Sequence, residues 1–415
     1  MQKEILLYIN NPERLEALYR ADPSGFKQAF NLVYNEIQEN ASASFWRARL
    51  NYTKPVSEKK STSDIIFLII MSLMAGVIAK IPEFADIQDF GLFYPYNLSF
   101  IVFPFLIFYF LRQHRPGFKI LVFPLAAIIV SVIYMNLIPK NQESSSIILA
   151  CVHVALFLWS VTGYAFLGSD LRNNEKRIDF LRFNGDLVIM INIILIAGGT
   201  FVGITIGLFE MINKNVATFI MEYVVVFGAT AVPIFGTYLV QRNPALVQKI
   251  SPLVARIFTP IVFVMLLVYL ITVIYTQKDP YNNRDFLILF NALLIGVMAI
   301  IFFSLSETVT QERNRFNLFI LLGLSLLTII IDGIVLSAIL FRVGEWGITP
   351  NRAAVLGENI LIFINLTFVT NRLFKAIRNQ STPYEVENSI ALFLPVYGLW
   401  FGFVTFFFPI LFGFR

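Results

Sequence analysis

A lone aspartate, Asp332, interrupts the apolar run "TIIIDGIVLSA", and five other polar residues sit in comparable runs: Glu222 in "FIMEYVVVF", His153 in "ACVHVALF", and Glu358, Asn136 and Asn291. Carboxylates and an imidazole can hold a proton, a cation or an amine, and asparagines can hydrogen-bond a small polar ligand. If these runs lie in lipid, a carboxylate facing the acyl chains costs at least about 2.5–3.5 kcal/mol, so such groups normally face a bundle interior or a watery cavity. Each residue also has a structural reading. A Glu near a helix end can snorkel to water, an Asn can bond a neighbouring helix, and a lone His is more often a packing residue than a ligand.

A second concentration of polar residues is "GEWGITPNRAAVLGEN", between two long apolar runs. Thr349 is a suitable N-cap and Pro350 a suitable first helical residue, so a helix is predicted to start here with Asn351 and Arg352 in its first turn. Gly344 and Gly347 permit a tight path, and Trp346 suits the aromatic belt of a membrane surface. Arg352 is left unexplained by this, because a cation opposes the dipole at a helix N-terminus. With Arg342, Glu345 and Glu358 it is expected to form a charge cluster at a cavity mouth, one guanidinium facing Asp332 or Glu358.

No Walker A loop, HExxH, CxxC or strand-linked GxGxxG occurs, which disfavours an ATP-driven pump or a common metalloenzyme. No catalytic residue, cofactor or metal is therefore assigned. The single cysteine, Cys151, excludes an intramolecular disulfide. Gly199, Gly203 and Gly207 recur every fourth residue in "GGTFVGITIG" and predict close helix packing rather than a phosphate loop.

Composition sets the elements that must carry these residues. With 57% hydrophobic residues, 14% charged and 43 Phe among 415, the solvent for most of this chain is lipid. Eleven apolar segments approach the roughly 20 residues needed to cross a hydrocarbon core of about 30 Å. They fall near 64–81, 92–111, 118–138, 146–168, 187–209, 216–239, 254–275, 286–305, 317–340, 354–370 and 390–412. The predicted fold class is all-α, a polytopic transmembrane helix bundle. Pro95 and Pro104 interrupt the second segment, and Pro124, Pro233 and Pro260 predict kinks elsewhere.

Most of the 32 Lys and Arg fall in the N-terminal segment and in every second loop after it, including "RQHRPGFK" and "RNNEKRIDFLR". The positive-inside rule then puts the N-terminus in the cytoplasm and residues 347–352 outside. On this topology Asp332 lies near the midplane, and Glu222, His153, Glu358, Asn291 and Asn136 lie in the outer half; Asn192 and Asn365 are the clearest polar groups of the inner half. An outward-opening polar cavity follows. The net charge of +5 calls for no nucleic acid, since basic loops suit anionic lipid.

Residues 1–63 predict a cytoplasmic helical module and linker ahead of a transmembrane domain at 64–415. Asn11 before Pro12 and Asp22 before Pro23 read as helix starts, and Phe26, Phe30, Val33 and Ile37 form one apolar stripe. "FWRARL" suits a helix lying at a membrane interface. The first residues have neither the h-region nor the cleavage site of a signal peptide.

The loop "GITPNR", following an Asp-containing helix, resembles the signature of a group of bacterial polytopic membrane proteins labelled only as a domain of unknown function. The resemblance implies a multi-pass protein of the bacterial inner membrane and supplies neither substrate nor catalytic residue. Three functional readings stand open. One is a secondary transporter or permease-like protein, with Asp332 binding a proton, cation or amine, Glu222 and Glu358 sharing its charge and Arg352 at the gate. No inverted repeat is evident, and an odd number of spans counts against it. The second is a non-catalytic scaffold or sensor whose N-terminal module recruits a cytoplasmic protein. The third is a membrane-embedded transferase using an acid such as Glu222 with His153, which requires the two to lie within hydrogen-bond reach.

Overall fold

The computed structural model describes the chain apart from residue 39 and residues 51–61, 86–89, 115–116, 142, 213–215, 244–249, 277–283 and 309–314. The described residues form helices and no strand. They divide into two compact units, Met1–Phe67 and Leu68–Arg415.

The first unit contains α1 (Gln2–Leu7), α2 (Pro12–Ala21), α3 (Pro23–Ile37) and α4 (Ala41–Leu50). Its helix starts follow the local sequence. Asn11 Oδ1 accepts from the Arg14 backbone N–H at 3.2 Å, and Asp22 Oδ1 from that of Gly25 at 2.9 Å, each satisfying a donor that the first turn leaves free. Phe26, Phe30, Val33 and Ile37 are all buried, and with Ile5, Leu15 and Trp46 they make a core of the unit's own. Trp46 is only 3% exposed, so it is enclosed in this core rather than free to lie in a membrane interface. The reason is local: Arg49 stacks over Tyr19 and Trp46, Arg47 stacks over Tyr34, and Phe45 alone of the pair turns outward.

Helix α5 (Thr62–Ala79) begins in the first unit and continues into the second. There follow α6 (Ile81–Phe84), α7 (Phe90–His114), α8 (Phe118–Leu137), α9 (Ser145–Leu167) and α10 (Asn174–Met211). A short α11 (Ala217–Phe219) runs through a π-helical stretch, Ile220–Val225, into α12 (Val226–Arg242). The last six are α13 (Ile250–Thr276), α14 (Arg284–Thr308), α15 (Arg315–Trp346), α16 (Pro350–Ile377), α17 (Pro383–Ala391) and α18 (Leu394–Leu411).

Eight helices among the described residues are long and apolar enough to cross a membrane, and shorter apolar helices at Ser63–Ala79, Ile257–Thr272 and Leu293–Ser304 occupy three further predicted segments. Large apolar side chains cover the outside as well as the inside: Ile69, Leu73, Val77, Ile129, Val130 and Ile133 are all exposed. A helix that is apolar all round yet lies on the surface of its bundle is a helix solvated by lipid. The prolines are accommodated within continuous helices, Pro95 and Pro104 in α7, Pro124 in α8, Pro233 in α12 and Pro260 in α13.

Two expectations are corrected. The stretch "RNNEKRIDFLR" is mostly helix rather than loop, because Asn173 Oδ1 accepts from the backbone N–H groups of Glu175 and Lys176 at 2.9 and 3.3 Å and starts α10 early. Gly199, Gly203 and Gly207 do not mediate packing among the described residues. A Cβ added to any of them meets nothing within 4 Å.

Four helix–helix contacts position the polar residues. Helices α15 and α16 form an antiparallel hairpin, α9 packs along α18, and both α9 and α18 touch α16.

Candidate functional site

The hairpin turn carries the "GITPNR" residues, and its geometry follows from their types. Gly347 adopts φ +74, a left-handed conformation that a side chain would oppose, and its N–H closes onto the Val343 carbonyl at 3.0 Å. Thr349 Oγ1 accepts from the Arg352 backbone N–H at 3.3 Å, and Pro350 opens α16. Asn351 Nδ2 donates to Ser145 Oγ at 3.2 Å and ties the start of α16 to that of α9.

The expected gate is corrected. Arg352 Nη1 donates to the Trp346 and Gly347 carbonyls at 3.0 and 2.7 Å, so it serves the C-terminal end of α15, where a cation complements the dipole. Arg342 and Arg352 both lie over the Trp346 ring, at 5.1 and 5.6 Å from its centroid. Glu345 is exposed. At Trp346 the role of Arg352 is one of capping and stacking, and both of these bonds go to carbonyl oxygens rather than to a carboxylate.

Below the turn, His153 and Glu358 each lie eight residues past the first residue of their helix, roughly 12 Å down. Equal depth lets them meet. His153 Nε2 is 2.6 Å from Glu358 Oε1, and its Nδ1 is 2.8 Å from the Leu149 carbonyl. A carbonyl oxygen only accepts, so Nδ1 carries hydrogen. The Nε2–Oε1 contact then holds one proton, as imidazolium against carboxylate or as neutral imidazole against carboxylic acid. Both forms have zero net charge, which suits a histidine only 3% exposed. Beside it, buried Asn359 donates through Nδ2 to Asn291 Oδ1 at 2.9 Å.

A second polar level lies deeper. Asp332 is sixteen residues before Ile348 and Asn365 seventeen after it, so the hairpin brings them to the same depth, roughly 24 Å along the helices. Asp332 is 0% exposed, and neither carboxylate oxygen has a hydrogen-bond partner among the described residues. Asn365 is equally buried; its Nδ2 donates to the Tyr397 hydroxyl at 3.1 Å while its Oδ1 has no partner there. The Tyr397 hydroxyl in turn donates to the Leu361 carbonyl at 3.5 Å. The Tyr397 ring stacks on Phe401, and the Phe401 ring lies 6.1 Å from that of His153, so α18 joins the two levels.

The remaining predicted residues lie apart. Glu222 is exposed on the π-helical stretch and makes no hydrogen bond to His153, Glu358 or Asp332. His153 thus meets Glu358 and not Glu222, the acid named for the transferase reading, and neither Glu222 nor Glu358 is bonded to Asp332. Asn136 forms a reciprocal amide pair with Asn97 between α8 and α7, at 2.9 and 3.3 Å, which is a packing role. Asn359 and Tyr397 join the site without having been expected; the first is marked in the sequence by its place beside Glu358, the second by nothing in "LPVYGLW".

The two-level arrangement can hold a proton in its upper pair and present unpaired acceptor oxygens at its lower level. Among the described residues no group of three or more His, Cys, Asp or Glu is placed to hold a metal ion. The chain is a multi-pass helical membrane protein. No family model, curated protein or solved structure matches it.

Proposed function

We propose that the protein is a secondary transporter or permease-like protein in which Asp332 is the coupling group. The observation that carries this reading is the complete burial of Asp332 with both oxygens unpaired, at mid-length of α15. An uncompensated buried carboxylate costs several kcal/mol, so a proton or a cation must accompany it whenever the site is closed. Exchange of that charge then requires the bundle to open, which is the linkage a coupled transporter uses. Asn365 Oδ1 and the Tyr397 hydroxyl offer further oxygens at the same level. The His153–Glu358 pair supplies a proton-holding step between Asp332 and the 347–352 turn. The same proposal takes the 347–352 turn as external, the N-terminus as cytoplasmic and the membrane as a bacterial inner membrane, on the Lys and Arg distribution and on the resemblance of the "GITPNR" loop.

A scaffold or sensor is the second reading, favoured by the N-terminal unit having a core of its own and a groove of about 620 Å³ lined by Glu13, Glu16, Arg20, Phe45 and Arg49. Native mass spectrometry of protein released from lipid nanodiscs separates the two, comparing wild type, Asp332→Asn and a deletion of residues 1–60. A bound small molecule or ion lost in Asp332→Asn but kept in the deletion supports coupling at Asp332. A protein partner lost only on deletion, with no ligand in any sample, turns the assignment to the scaffold.

A further inference from the structure

A cavity of about 780 Å³ opens in the membrane unit between α8, α9, α10 and α18, and its lining includes neither Asp332 nor His153. Its volume lies within the ~300–1,000 Å³ typical of small-molecule sites. Its two ends differ. Leu171, Arg177 and Leu394 line one end, and Phe157, Phe406 and Phe407 the other. The α18 wall runs thirteen residues from Leu394 to Phe407, roughly 20 Å, somewhat more than half of a hydrocarbon core of about 30 Å.

Arg177 is the cationic group of that lining, and among the described residues no carboxylate pairs with it. Its Nη1 donates to Asn174 Oδ1 at 2.9 Å and to the Ala391 carbonyl at 3.3 Å, and its Nη2 to the Leu171 carbonyl at 2.8 Å. All three acceptors are neutral, and they leave two of the five guanidinium N–H groups over. Three nearby acids are paired elsewhere, Asp170 with Lys176, and Asp179 and Glu387 with Arg182. A partly buried cation facing an apolar cavity calls for an anion, and a guanidinium fork matches phosphate oxygens.

We propose that this cavity binds one anionic glycerophospholipid, its phosphate on Arg177 and an acyl chain along α18 toward Phe407. The match is one of charge at one end and length and apolarity along the rest. Lipid that merely coats the bundle would show no preference for charge at this place.

Trp159 lines the cavity and reports on it directly. Full-length protein in phosphatidylcholine nanodiscs receives phosphatidylglycerol or phosphatidylcholine brominated in the acyl chains, and quenching of Trp159 is read as the difference between wild type and Trp159→Phe. Wild type is expected to reach half-quenching at about a tenfold lower mole fraction of the brominated anionic lipid. Arg177→Gln keeps donors for the backbone carbonyls and is expected to abolish the preference, and Arg177→Lys to retain most of it. Equal quenching by the two lipids in wild type overturns the proposal without reference to any arginine variant. A preference unchanged in a folded Arg177→Gln overturns it as well.

Discussion

The His153–Glu358 contact predicts a specific pattern of stabilities. Glu358→Ala leaves the Nε2 of a histidine only 3% exposed without a partner, which for a buried polar group costs about 1–3 kcal/mol. The Glu358 side chain is 21% exposed, so some water reaches the gap and about 2 kcal/mol is the expected loss. His153→Phe leaves a carboxyl group that can turn toward that opening, and about 1–2 kcal/mol is expected. Removing both groups together, as His153→Phe with Glu358→Leu, leaves nothing unpaired and is expected to cost only about 1 kcal/mol, as replacement of buried pairs by apolar residues commonly does. Glu358→Gln can still donate to Nε2, and is expected to stay within about 1 kcal/mol of wild type. Reversible unfolding in bicelles, run as a double-mutant cycle with Glu358→Leu as the second single variant, should give a coupling of about 2 kcal/mol. Additivity within about 0.5 kcal/mol would refute the shared-proton contact. So would a Glu358→Gln as damaging as Glu358→Ala.

Three further outcomes follow from other parts of the chain. In the N-terminal unit, a hydrogen bond from Arg20, reinforced by Arg49, holds the Glu16 carboxyl below its ordinary value of 4.5. The folded value being the lower one, this contribution is fully present above about pH 4.5 and is lost as pH falls through the folded value. Hydrogen exchange over residues 1–50 should show protection that declines with acid in wild type and less steeply in Glu16→Gln. At Gly357, an added Cβ would lie 2.1 Å from the Trp400 ring, so Gly357→Ala should lower stability by about 1–3 kcal/mol, with partial recovery when Trp400→Phe is added; thermal melts in detergent test this. At Gly203, where a Cβ meets open space, Gly203→Ala should be neutral or should stabilise by up to about 1 kcal/mol in the same melts.

Local chemistry was legible in the sequence, and tertiary pairing largely was not. The Thr349–Pro350 helix start and the Phe26 to Ile37 stripe were readable because a cap and a helical period involve residues within a few positions of each other. Asp332 stood out because its flanks are apolar. Its neighbourhood was partly readable too, since Asp332 and Asn365 are nearly equidistant from the turn of a hairpin. His153 and Glu358 are 205 residues apart on helices that are not consecutive, and no spacing rule links them. Arg352 was misassigned for a physical reason: its position looks unfavourable from α16 alone and becomes favourable only when the turn folds it back on α15. The glycine stripe in α10 suggested a packing partner, but small residues permit close approach without specifying what approaches.

Infrared difference spectroscopy on lipid-reconstituted protein reads out whether Asp332 holds an exchangeable proton or cation. A carboxyl band is expected that changes when pH or monovalent cation concentration is stepped and that is absent from Asp332→Asn. A spectrum in which no band assigned to Asp332 responds to either step would contradict the coupling role of Asp332 and make it a fixed structural acid.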